Sequence, residues 1–197
     1  MNSFKKYIAF EGIDASGKST QAKLFCEFLK KTNRSVFCTK EPGGTDISKK
    51  IREILLEDTL NPKARFFLFL ADRSIHIEAV KAYVKSGYVV SDRCLFSTIA
   101  YQSFGEGLEL KFVEESNLFA AQGLLPDVTF IIDIDLDTMH KRLTKRDVIE
   151  SKGDEFFKKV IEGYDYIADK FDNVFKIDGR QPIEQVFEDI IGIWNTI

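Results

Sequence analysis

Five short apolar runs punctuate the chain: Tyr7–Phe10, Ser35–Thr39, Tyr88–Ser91, Val128–Ile134 and Val174–Ile177. Each is rich in β-branched or aromatic residues and ends in polar or glycine-containing sequence, the mark of a strand. None alternates strictly with polar residues, so each reads as a strand covered on both faces. Between them the apolar positions recur at three- and four-residue spacing, as on a helix face. Leu24, Phe25, Phe28 and Leu29 do this after Lys18, and Ile47, Ile51, Ile54 and Leu55 do it after Thr45. A long pattern from Arg65 to Lys85 places Leu68, Ile75, Ala79 and Ala82 on its core stripe. Met139 and Leu143 mark a further helix, Phe156 to Phe171 another, and Ile183, Val186, Phe187, Ile190 and Ile191 the last. Strands alternating with helices predict an α/β fold, a three-layer α/β/α sandwich on a five-stranded parallel sheet.

The chain has 197 residues, a size that suits one domain over residues 1–197. The polar stretch Thr144 to Asp154 then reads as a loop, a short lid near residues 142–154, and not as a linker. A net charge of −3 offers no general field for a nucleic-acid backbone, so no nucleic-acid partner is expected. No apolar run is long enough to span a bilayer, so no membrane is expected either. Cys26, Cys38 and Cys94 are odd in number and form no close pair, which points away from disulfides and toward a cytoplasmic location. His76 and His140 read as residues on helix surfaces.

Directly after the first strand stands Gly12-Ile13-Asp14-Ala15-Ser16-Gly17-Lys18-Ser19, followed by Thr20. The spacing is that of a P-loop, and a strand before it with a helix after it sharpens the match. Gly12 and Gly17 permit a turn whose N–H groups face phosphate oxygens, and the helix start adds its positive end. Lys18 then reaches the outer phosphates of ATP, and the Ser19 hydroxyl ligates Mg²⁺. The fold is therefore expected to be that of P-loop NTPases. No Asn-Lys-x-Asp run for guanine occurs, which favours a small-molecule kinase over a GTPase.

Charged and polar groups also follow the later strands, at the end of an open parallel sheet where ligands bind. They are Glu41-Pro42-Gly43-Gly44-Thr45, then Asp92-Arg93 with Ser97-Thr98 and Tyr101-Gln102, and, on the long helix, Phe69-Leu70-Ala71-Asp72-Arg73. With Phe10 through Gln21 these segments resemble the thymidylate kinase family, in the family's order and over nearly the whole chain. The resemblance implies transfer of the γ-phosphoryl of ATP to dTMP, Mg²⁺ as cofactor, and a homodimer. It implies that Phe69 stacks on thymine and that Arg73 and Arg93 hold the acceptor phosphate, with Arg52 and Pro42 nearby. Thr98, Ser97 and Gln102 would meet the base, and Tyr101 would crowd the sugar. Asp14, Asp92 and Glu150 would help place the metal, and Arg180 would border adenine. Residue types alone leave other readings open: a helical Phe usually packs in a core, and Arg73 could be an ordinary ion pair.

The cations Arg142, Lys145 and Arg146 begin the lid segment. As a lid they would meet the transferring phosphoryl; as a helix end they would simply suit the helix dipole. The resemblance favours the lid, of the bacterial kind in which position 15 is not arginine; here it is Ala15. Two rivals remain: a sister kinase acting on another monophosphate, a deoxynucleoside or shikimate, and a nucleotide-binding regulator without catalysis.

Overall fold

The computed structural model describes residues 6–57, 60–143 and 152–197. Five strands form one sheet: β1 (Tyr7–Glu11), β2 (Val36–Lys40), β3 (Tyr88–Asp92), β4 (Val128–Asp133) and β5 (Val174–Asp178). Their order is β2-β3-β1-β4-β5 and every pairing is parallel. β1 thus lies between β3 and β4, where the chain switches from one half of the sheet to the other. The loop after β1 opens into that crevice.

Strand period two divides the sheet cleanly. Ile8 and Phe10 of β1 join Phe130 and Ile132 of β4 in one core, under α1 (Lys18–Lys31) and α8 (Ile183–Trp194). Tyr7 and Ala9 face the other core, under α3 (Pro62–Val84), a short α4 (Leu95–Thr98) and α7 (Asp154–Lys170). The three-layer α/β/α expectation therefore holds. α2 (Asp46–Leu55) and α6 (Leu136–Arg142) complete the helices anticipated from periodicity.

Four features differ from the sequence expectations. Residues 95–120 carry no strong period, yet they form α4, a π-helical segment over Ile99–Gly105, and α5 (Leu110–Ala120). The π segment packs closely on α7: a Cβ at Gly163 would stand 2.8 Å from the Ala100 Cα, so only glycine fits.

The long helix α3 buries a different face from the one its apolar residues mark. Phe66, Arg73, His76, Ile77 and Val80 are buried, whereas Leu68, Ile75 and Ala79 are half-buried and Ala82 is exposed. Tertiary partners override the stripe, because Glu41 and Thr39 supply the buried polar groups with hydrogen bonds. For the same reason His76 is not a surface residue: it is fully buried, with Nδ1 against Glu41 at 2.8 Å and Nε2 against Thr39 at 2.7 Å. Finally, Cys26 and Cys38 are disulfide-bonded, α1 lying across β2 with the two Cα atoms 6.2 Å apart. Only Cys94 is a free thiol, and it is buried.

Candidate active site

The loop at the switch point has the backbone its sequence requires. Gly12 adopts φ 141°, and a Cβ there would sit 2.5 Å from the Ile132 carbonyl. Gly17 caps α1 at φ 97°, and Ala15 also takes a positive φ of 59°. Inside the loop Ser16 N–H bonds to Ile13 O at 3.2 Å. Among the described residues, the N–H groups of Asp14, Ala15, Gly17 and Ser19 have no protein acceptor. That leaves a concave set of donors at a helix start, the arrangement that takes phosphate. Thr20 follows on the first turn of α1.

Lys18 lies under this loop, buried, with Nζ 3.2 Å from Ile13 O and 3.7 Å from the Asp14 carboxylate. Burial lowers its pKa, and the nearby Arg93 cation lowers it further. Two cations held this close in a dry cradle are electrostatically prepared for a polyanion.

Arg93 links the cradle to the neighbouring cleft. Its backbone takes φ 71°, turning the side chain back over the loop. Nη2 donates to Asp14 at 2.6 Å, while Nη1 donates to Ser97 Oγ at 3.0 Å and Gly12 O at 3.3 Å. Tyr101 OH donates to the second Asp14 oxygen at 2.9 Å. Burial alone would raise the Asp14 pKa, but Arg93 and then Lys18 bring it below the usual carboxylate range.

The adjacent cleft is lined by Pro42, Arg52, Leu55, Leu56, Phe69, Arg73, Arg93, Ser97, Thr98, Tyr101 and Gln102, together with Asp14, Glu41 and Cys94. Every acceptor-binding residue expected from sequence therefore borders one cavity. Phe69 is half-buried at its wall, so its ring is not a core ring. Arg73 differs in kind from the other cations. Nε donates to Glu41 Oε2 at 3.0 Å, and Nη2 is ion-paired with the same oxygen at 2.8 Å. Nη1 donates to Thr98 at 3.1 Å and to Asn117, and Nη2 also reaches Cys94 O at 3.3 Å. Its three nitrogens thus make four hydrogen bonds inside the protein, which leaves at most one N–H for a phosphate unless a partner is displaced. Arg52 is freer: among the described residues its one side-chain hydrogen bond is Nη1 to Pro42 O at 3.1 Å.

Sequence reasoning gave no individual role to two buried carboxylates behind this cleft, Glu41 and Glu11. Glu41 serves both Arg73 and His76; burial would raise its pKa, but Arg73 and then His76 lower it. Glu11 accepts from Cys94 N, Ser97 N, Ser97 Oγ and Tyr164 OH at 2.5 to 3.0 Å, and so fixes the turn that presents Arg93. The available signal was a charged residue closing each of two apolar strands.

On the other side of the loop, Ser19 and Asp92 border a common hollow. Asp92 Oδ1 is buried without a hydrogen-bond partner. An oxygen-only pair with a free carboxylate acceptor fits Mg²⁺. No cluster of three or more metal-ligating side chains occurs among the described residues, which leaves the remaining ligands to phosphates and water. Arg142, expected in the lid, instead ends α6 and ties the cradle to the β5–α8 turn. Its Nη1 donates to Ser16 O at 3.3 Å and its Nη2 to Gly179 O at 2.9 Å. Arg180 in that turn is exposed and paired with Asp178 at 2.8 Å. Lys145, Arg146 and Glu150 lie outside the described residues.

A parallel sheet with a phosphate loop at its switch point, opening beside a second cleft lined by arginines and an aromatic wall, defines a P-loop nucleotide kinase. A family model described as thymidylate kinase matches residues 10–190. A thymidylate kinase of Thermosipho melanesiensis is 40% identical over 195 residues, covering 97% of this chain and 98% of the relative. One of Sulfurihydrogenibium sp. is 43% identical over 192 residues, covering 94% of each. The crystal structure of a thymidylate kinase from Ehrlichia chaffeensis superposes with a TM-score of 0.81 at 30% identity, over 96% of this chain and 98% of that one. The chain belongs to the thymidylate kinase family.

Proposed function

We propose that this chain transfers the γ-phosphoryl group of ATP to dTMP, giving dTDP and ADP for dTTP synthesis. The observation that carries the reading is the Asp14–Arg93 pair at 2.6 Å, because it belongs to the phosphate cradle and to the arginine-lined cleft at once. Two nucleotides seated in those cavities meet with their phosphates end to end.

The acceptor is a phosphate monoester with a second pKa of about 6, already ionised at neutral pH. No general base is needed. The task is to align two polyanions and neutralise them as charge redistributes. Loop N–H groups and Lys18 hold the donor's phosphates. Arg93, at the junction, balances the transferring group. Mg²⁺, when bound, supplies further neutralisation; Ser19 and Asp92 would hold it, with Asp14 acting through water. Glu150 is a further candidate ligand, from the lid.

In the cleft, donor availability supports Arg52 and Arg93 as the acceptor's phosphate ligands. Arg73, held by Glu41 and Asn117, suits the base edge beside Thr98 and Gln102. Phe69 provides the stacking wall, and Tyr101, fixed by Asp14, narrows the space for the sugar. Arg142 and Arg180 flank the adenine end of the donor. Arg146 is proposed as the lid cation on the transferring group; Arg146→Ala should lower turnover about a hundredfold.

Exposed Phe67, Phe112 and Phe119, on α3 and α5, support the homodimer reading. No described helix is long and apolar enough to cross a membrane, and a cytoplasmic location is proposed. ADP release measured side by side with dTMP, dUMP, AMP, CMP and shikimate tests the function. Turnover should be greatest with dTMP, and none with dTMP would reject the reading.

A further inference from the structure

Beside the metal side of the phosphate loop, one pair of reactive groups is held at bonding distance with no part in phosphoryl transfer. Cys26 lies midway along α1, the helix that begins at the phosphate loop. Cys38 lies on β2, two residues before the strand ends and three before Glu41. Their Cα separation of 6.2 Å falls in the range that a disulfide spans without backbone movement. The two sulfurs differ in access: Cys26 is 4% exposed, whereas Cys38 is on the open side of an edge strand and exposed. Both border the hollow that Ser19 and Asp92 share, whose lining also carries Lys23, Lys30 and Lys40 against two acids, Glu27 and Asp92.

We propose that Cys26 and Cys38 form a reversible dithiol–disulfide site that exchanges with an anionic low-molecular-weight disulfide. The exposed Cys38 thiolate attacks one sulfur of the small disulfide, breaks its S–S bond and releases one small thiol. The Cys26 thiolate then attacks the Cys38 sulfur of the mixed disulfide and releases the second. The protein pair loses two electrons, the small disulfide gains them, and the two thiol protons pass through water to the leaving groups. The order follows from access, since only Cys38 is reachable from solvent. The three lysines set the preference for carboxylate-bearing partners such as glutathione disulfide.

The bond ties the phosphate-loop helix to an edge strand otherwise paired only with β3. Oxidation therefore stiffens the strand that leads into the acceptor cleft, and reduction releases it. This inference does not depend on the identity of the acceptor.

Reduced full-length protein is exposed to glutathione disulfide, quenched in acid, alkylated and mapped by mass spectrometry. Wild type should lose Cys26 and Cys38 as alkylatable thiols while Cys94 stays free. Its Tm should rise by about five to ten degrees and return with dithiothreitol. Cys26→Ser should retain one glutathionyl adduct on Cys38, and Cys38→Ser should retain none. At low salt the neutral hydroxyethyl disulfide should react on the order of tenfold more slowly, and the gap should close at high salt. Full alkylation of both cysteines in treated wild type, or an adduct on Cys26 in Cys38→Ser, overturns the proposal. Equal rates with both reagents overturn the anionic preference. Wild-type mapping decides the matter even if a variant fails to fold.

Discussion

Arg93 Nη2 stands 2.6 Å from Asp14 Oδ1, joining residues 79 positions apart in sequence across the line between the phosphate cradle and the acceptor cleft. The guanidinium also donates to Ser97 Oγ and to Gly12 O, and it lies over the Tyr101 ring with Cζ 5.1 Å from the centroid. A lysine could reproduce the charge but not this planar fork. Arg93→Lys should therefore lower kcat/KM for dTMP about a hundredfold with little loss of Tm. Steady-state kinetics beside a thermal melt would check it, and unchanged kcat/KM would remove Arg93 from the mechanism.

The pH dependence of the same pair has a definite sign. Asp14 is held below the ordinary carboxylate range, so it stays ionised throughout the neutral region. The acid limb of kcat/KM should then follow the acceptor's own second ionisation, near pH 6. Asp14→Asn should lower the plateau without moving that limb. A limb displaced by a full pH unit in this variant would assign the titration to Asp14 instead.

Lys18 lies beneath the loop with its charge already disfavoured by burial and by Arg93. Removing the ammonium relieves that repulsion, so stability should hold while function fails. Lys18→Ala should reduce turnover on the order of a thousandfold, with the far-UV spectrum and Tm retained.

Glu41 couples stability to acid. Its folded pKa lies below the unfolded value, so its contribution is complete above about pH 4.3 and is lost as pH falls through the folded pKa. Glu41→Gln leaves Arg73 as a buried charge without its counter-ion, at a cost of about 3 kcal/mol. Melts at pH 7 should show a Tm lower by roughly ten degrees. Between about pH 5 and pH 3 the variant should also lose less stability than wild type. Parallel curves over that range would contradict the assignment.

Phe69 is half-buried at the cleft wall, so truncation leaves little of a core cavity. Stacking on a base contributes roughly 1–3 kcal/mol. Phe69→Ala should raise KM for dTMP at least fivefold while KM for ATP and Tm stay near wild type. A matching rise in both KM values would point to a structural role.

The five strands, the phosphate loop and most helices were legible because each depends on neighbours within a few residues. A strand needs a short apolar run, and a P-loop needs glycines at fixed spacing before a helix. Through a family resemblance the sequence also named residues that line a single arginine-bearing cleft. It did not show what each member could do once there. Whether Arg73 has a donor to spare depends on Glu41, Thr98 and Asn117, which lie 32, 25 and 44 positions away. The buried face of α3, the burial of His76 and the meeting of Cys26 with Cys38 have the same origin. Periodicity records which face is apolar, but a polar face can be buried when distant residues complete its hydrogen bonds. Those pairings arise only when helices dock on the sheet, so the chain's local pattern determined the scaffold and tertiary packing decided which charges remain available for chemistry.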